Sequence, residues 1–153
     1  MKTKRLLFYV PLLLALVLGA AGCSSDDDES GKLDASLLPG YWVLVKDGEP
    51  QKNGVWFTNE LCKGEMWKGV AANAKVVKFW WRMDSDSVAQ TKETTYWKVS
   101  ENGGISIGAI WESTRSVIKL TKDELVIRET HLIDNGKTDR HYKHLQEGIV
   151  ISE

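Results

Sequence analysis

The chain has 153 residues with 20 basic and 21 acidic side chains, a formal net charge of −1. That balance argues against a nucleic-acid binder, which needs a basic surface to displace the counterions of a phosphate backbone. The first 22 residues hold three basic residues and no acidic one, so the remaining 131 carry 17 basic and 21 acidic residues. Four of those acids form one run, Asp26-Asp27-Asp28-Glu29; from Leu33 to Glu153 the balance is 16 to 17. About 120 residues suffice for one hydrophobic core and not for two. All seven Trp lie after Cys23.

Residues 1–22 have the layout of a secretory signal. Met1 to Arg5 is positively charged, Leu6 to Leu18 is apolar apart from Pro11, and Gly19-Ala20-Ala21-Gly22 is a small-residue end. Thirteen helical residues rise about 20 Å, short of the ~30 Å hydrocarbon core of a bilayer. Ala20-Ala21-Gly22-Cys23 resembles the lipobox of bacterial lipoproteins, with Ala20 where the commonest pattern has Leu. The resemblance implies that Cys23 becomes a lipidated N-terminus and makes the membrane a partner. Residues 23–36 then read as an acidic tether too polar to build a core. Cys23-Ser-Ser-Asp-Asp-Asp-Glu also resembles the export signal of Bacteroidota surface lipoproteins. That implies a lipid anchor in the outer membrane of a Gram-negative bacterium and display at the cell surface; a periplasm-facing spacer is the alternative. With Cys23 acylated, Cys62 has no intramolecular disulfide partner.

Residues 37–153 form the domain. Leu37-Leu-Pro-Gly40 is a turn, Tyr41 to Val45 a strand, Lys46 to Pro50 a breaker and Gly54 to Thr58 a second strand. Residues 59–74 suit either a helical turn or an irregular crossing. From Val77 the period is two: Val77, Phe79, Trp81 and Met83 share one face, and Lys78, Trp80 and Arg82 the other. Strands follow at Glu93 to Val99, Ile105 to Glu112, Arg115 to Leu120, Leu125 to Ile133 and Thr138 to Leu145. Asn135-Gly136 is the strongest hairpin signal, read as a two-residue type I′ turn. About eight strands without crossover helices predict an all-β, small antiparallel up-and-down β-barrel.

Leu38-Pro-Gly40-Tyr-Trp42, with Gly40 and Trp42 in a Gly-x-Trp pattern, resembles the start of lipocalin-like domains. Val117 to Ile127, Asn135-Gly136 and Tyr142 are similar to the tail of small bacterial lipocalin-like lipoproteins. The resemblance covers residues 37 to 146 and implies a calycin-type barrel of short strands with a small or filled interior.

Hairpin arithmetic assigns the faces. A four-residue loop at Thr121 to Glu124 pairs Leu120 with Leu125 and Ile118 with Ile127, all inward, and carries Glu129 and His131 inward too. A two-residue turn at Asn135-Gly136 pairs His144 with Ile127, Tyr142 with Glu129 and Arg140 with His131. The interior is then apolar at one end and polar at the other. Arg140-His141-Tyr142 is similar to the Arg-x-Tyr of fatty-acid-binding relatives of lipocalins. Guanidinium and phenol on one face can grip a carboxylate, or they can close the barrel mouth as a salt bridge with no ligand.

Trp42, Phe79, Trp81, Trp97 and Trp111 are assigned to the inner wall, and Trp80, between Lys78 and Arg82, to the outside. His131, His141 and His144 diverge on their strands, Asp84 and Asp86 fall short of a calcium loop, and no nucleophile–base pair stands out. No enzyme, cofactor or metal is expected. Two readings remain: a lipid-anchored barrel binding a small, mostly apolar ligand with a carboxylate as its candidate head group, or a surface accessory module with a filled interior that binds glycan or protein through outward aromatics such as Trp80.

Overall fold

The computed structural model describes residues 32–83, 88–108, 112–146 and 150–152. The signal, Cys23, most of the tether, Trp111 and the turn containing Asp84 and Asp86 lie outside the described residues. The eight expected strands are β1 (Gly40–Lys46), β2 (Glu49–Leu61), β3 (Lys75–Trp81), β4 (Val88–Val99), β5 (Ile105–Ile107), β6 (Ser113–Leu120), β7 (Glu124–His131) and β8 (Lys137–Leu145). Each pairs antiparallel with the next, and β8 returns to pair with β1. The sheet therefore closes into an up-and-down barrel, which removes the unpaired edges an open sheet would expose. Residues 59–74 hold the end of β2, a short 3-10 helix at Glu65–Trp67 and irregular turns.

A ninth strand, β9 (Val150–Ser152), has no counterpart in the sequence reading and runs parallel to β4. Gln90 of β4 pairs with Trp81 on one side and Ser152 on the other. So β9 lies on the β4 edge that β5, only three residues long, reaches at Trp97, Lys98 and Val99.

Two registers depart from the hairpin arithmetic. Leu120 pairs with Leu125 as expected, but a bulge at Ile118 puts Val117, not Ile118, opposite Ile127. The bulge inserts one residue, so Val117, Arg115 and Ser113 turn inward below it, and all three are buried. The second departure is at β7–β8, where Ile127 pairs with Arg140 and Leu125 with Tyr142. The Asn-Gly pair is not a two-residue turn. The His131 N–H donates to the Gly136 carbonyl, which leaves a four-residue loop, Leu132 to Asn135, with Asn135 at φ 55°. The slip moves each partner by an even number of residues, so the inward face is unchanged while every predicted cross-strand pair is replaced.

One end of the barrel is packed solid. Trp42, Val55, Phe57, Val77, Trp97 and Leu125 are buried in one cluster, with Leu38 of the N-terminal segment set against them. The two indoles are satisfied there: Trp42 Nε1 donates to the Leu38 carbonyl at 2.8 Å and Trp97 Nε1 to the Thr58 carbonyl at 3.1 Å. Buried donors of this kind cost stability when left unpaired, so the chain segment before β1 helps hold the closed end.

Trp80 faces outward as the alternation demands and covers an outer patch of the barrel, with only 1% of it exposed. Val43, Ala89, Trp56 and Ile151 of β9 surround it in a second, smaller apolar cluster on the outside of the barrel. Gly54 makes this possible: a Cβ there would lie 2.0 Å from the Trp42 carbonyl oxygen and 2.5 Å from the Trp80 ring.

Candidate functional site

Away from the packed end the interior is open. A cavity of about 1000 Å³ occupies the end where β3 and β7 finish and β4 and β8 begin. Phe79, Trp81, Met83 and Ile127 contribute apolar wall; Glu93, Arg115, Glu129, Arg140 and Tyr142 contribute polar groups. A concave, largely apolar space with a few convergent polar groups is the usual form of a small-molecule site.

Arg115 is the most deeply set charge. Only 6% of the residue is exposed. Its Nη2 donates to Glu93 Oε1 and to the Gly108 carbonyl, both at 2.6 Å, and Nη1 reaches Glu93 Oε2 at 3.4 Å. Its Nε is buried with no hydrogen-bond partner among the described residues. The guanidinium lies 4.7 Å from the Phe79 ring centroid, a cation–π distance. Gly108 must be a glycine for its carbonyl to sit here, since a Cβ would come within 2.1 Å of Thr95 Oγ1.

Tyr142 is buried and feels charges of both signs. Burial pushes its hydroxyl up to about 12, with the positive charges on Arg140 and Arg115 pulling it down and Glu129 pushing it up. At neutral pH it is therefore a neutral hydroxyl able to donate a hydrogen bond. Arg140 is half exposed and meets Glu129 at 3.8 Å, a separation at which an ion pair adds little stability in water.

The sequence-derived site is thus partly assembled. Arg140, Tyr142, Glu129, Phe79 and Trp81 line one cavity. His131 does not; it is exposed at the end of β7, where the strand passes into the hairpin loop. Trp42 and Trp97 belong to the packed end, with their indole N–H groups already bonded to backbone, and neither lines the cavity.

Arg115 and Glu93 were not singled out from the sequence. The only signal for Arg115 is the inward alternation Ser113, Arg115, Val117, which becomes visible once the bulge at Ile118 is known. Cys62 is half-buried, and burial followed by the nearby Glu60 charge pushes its thiol up, away from the reactive thiolate. Among the described residues no three His, Cys, Asp or Glu side chains converge as a metal site requires. No family model, no curated protein and no solved structure matches the chain.

Proposed function

We propose that this barrel is a binding protein for a small, mostly apolar ligand with an acidic head group, held on the bacterial outer membrane through a lipidated Cys23. One observation carries the reading: Arg115, Arg140 and Tyr142 meet in an unfilled cavity whose remaining wall includes Phe79, Trp81 and Ile127. Two of the donors, Arg115 and Tyr142, are buried, Arg140 is half exposed, and Met83 is the most exposed apolar wall. The head group therefore enters first, and the apolar tail rests on Trp81 and Met83. Charge-assisted hydrogen bonds fix the orientation, while apolar burial supplies most of the affinity, at about 25 cal/mol per Å².

The test uses the chain from residue 23 onward, carrying Cys23→Ser, titrated with saturated fatty acids of increasing length. Binding should quench Trp fluorescence, because Trp81 lines the cavity, and should raise the melting temperature. A flat response across amphiphiles of varied head group and length contradicts the reading. The anchor has its own test: protease added to intact cells should remove the domain, and protection until lysis contradicts surface display. The alternative contact through Trp80 has no exposed ring to offer, since that side chain is 1% exposed.

A further inference from the structure

We propose that the head group this cavity selects is a dianion of the alkyl-phosphate class rather than a monocarboxylate. The inference rests on the amphiphile-binding reading and narrows it to a ligand class.

Charge count is the first support. Arg82, Lys92, Arg115 and Arg140 line the cavity against Glu93 and Glu129, an excess of two cations without counting Lys52, which is engaged with another group. The chain as a whole is slightly acidic, so this excess is local. Glu93 faces Arg115 and Glu129 faces Arg140, so the excess is Arg82 and Lys92, both exposed, and a carboxylate leaves one of these positive charges uncompensated. A dianion compensates both.

Donor geometry is the second. The buried Nε of Arg115 has no partner among the described residues, and its Nη1 reaches Glu93 only at 3.4 Å. Arg140 is held at 3.8 Å by Glu129, a contact a stronger acceptor can displace. The Tyr142 hydroxyl lies in the field of both guanidinium groups. Arg115, Arg140 and Tyr142 offer donors from three side chains that line one cavity, and a phosphate monoester has three terminal oxygens to accept them where a carboxylate has two. Guanidinium groups pair with phosphate through two parallel N–H bonds, which a lysine cannot imitate.

The experiment is calorimetric titration of the chain from residue 23 onward, carrying Cys23→Ser, below the critical micelle concentration. The probes are dodecyl phosphate, dodecanoate, dodecanol and inorganic phosphate, at pH 8 and pH 5.5. At pH 8 dodecyl phosphate should bind at least about ten-fold tighter than dodecanoate, with dodecanol weaker still and inorganic phosphate silent. At pH 5.5 the advantage should shrink, because a phosphate monoester with a second pKa near ~6 is then mostly a monoanion. Arg115→Met should abolish the preference. Lys92→Gln, at an exposed side chain, should reduce it several-fold and keeps the test informative if the Arg115 variant does not fold. Equal affinity for phosphate and carboxylate at pH 8 overturns this inference while leaving the amphiphile reading intact. Binding of none of the alkyl probes overturns both. Inorganic phosphate binding as tightly as dodecyl phosphate overturns the tail's role and, with it, the ligand class.

Discussion

Arg115 and Glu93 meet inside the barrel at 2.6 Å although their strands, β6 and β4, are separated by β5. The contact is possible because β5 ends at Ile107 and the Arg115 side chain passes the Gly108 carbonyl on its way to Glu93. The pair stitches the barrel where its wall is thinnest in regular structure, and it also occupies donors that a ligand would use.

Glu93→Gln should therefore separate stability from affinity. Removing the carboxylate leaves a buried guanidinium short of a partner, a change that costs about 3–5 kcal/mol when both partners are fully buried. Glu93 is a quarter exposed, so about 2 kcal/mol is expected from urea unfolding. The same variant should bind an acidic amphiphile more tightly, because Arg115 no longer divides its donors between Glu93 and the ligand. Loss of both stability and affinity would mean that Glu93 serves only to position Arg115.

The adjacent Trp80 and Trp81 should behave oppositely. Trp80→Ala opens a hole in the outer cluster with Val43 and Ala89, and deletions of this size cost about 3–5 kcal/mol. Trp81→Ala removes a partly exposed cavity wall. It should cost under about 1.5 kcal/mol yet weaken amphiphile binding several-fold. Thermal unfolding and a binding titration on the two variants check both halves.

Gly54→Ala should be among the most damaging small substitutions in the chain. The added Cβ would meet a backbone oxygen, the Trp42 carbonyl, at 2.0 Å. A backbone atom in a closed sheet cannot swing aside as a flexible side chain can, so overpacking of about 2–3 kcal/mol or more is expected. Circular dichroism melts report it directly.

Tyr142 predicts the alkaline limb of the stability curve. Burial raises its hydroxyl from the ordinary 10 to about 12. Above pH 10 the unfolded chain releases this proton while the folded barrel retains it, so stability falls as pH rises from 10 towards 12. A two-unit difference corresponds to about 2–3 kcal/mol by pH 12. Tyr142→Phe should flatten that limb relative to the parent; an unchanged slope would mean the hydroxyl is not buried in solution.

Most of the architecture is legible in the sequence, because strand alternation and turn residues report it locally. Phe79 and Trp81 share the inward face as their spacing of two requires, and the Asp47-Gly48 turn sits inside the expected breaker with positive φ at both residues. Arg140, Tyr142 and Glu129 reach one cavity because a register slip by an even number of residues preserves the face. The misses have a shared cause. The bulge at Ile118, the early end of β5 and the return of β9 onto β4 are settled by packing between distant segments, and no local pattern encodes them. Arg115 was hidden by the first of these, whereas Glu93 shares the inward alternation of Thr95 and Trp97 and lacks only a partner that the sequence reveals. Trp80 was assigned to the correct face, but the cover over it is drawn from Val43 of β1, Ala89 of β4 and flanking Trp56 and Ile151, which no local pattern brings together.

Head-first entry of an acidic amphiphile into this cavity can be followed by amide chemical-shift mapping during titration with dodecanoate. Saturable shifts are expected at Phe79, Glu93, Arg115, Ile127 and Arg140, with Trp42, Phe57 and Trp97 of the packed end unmoved. Shifts confined to the outer face, or none at saturating ligand, would contradict it.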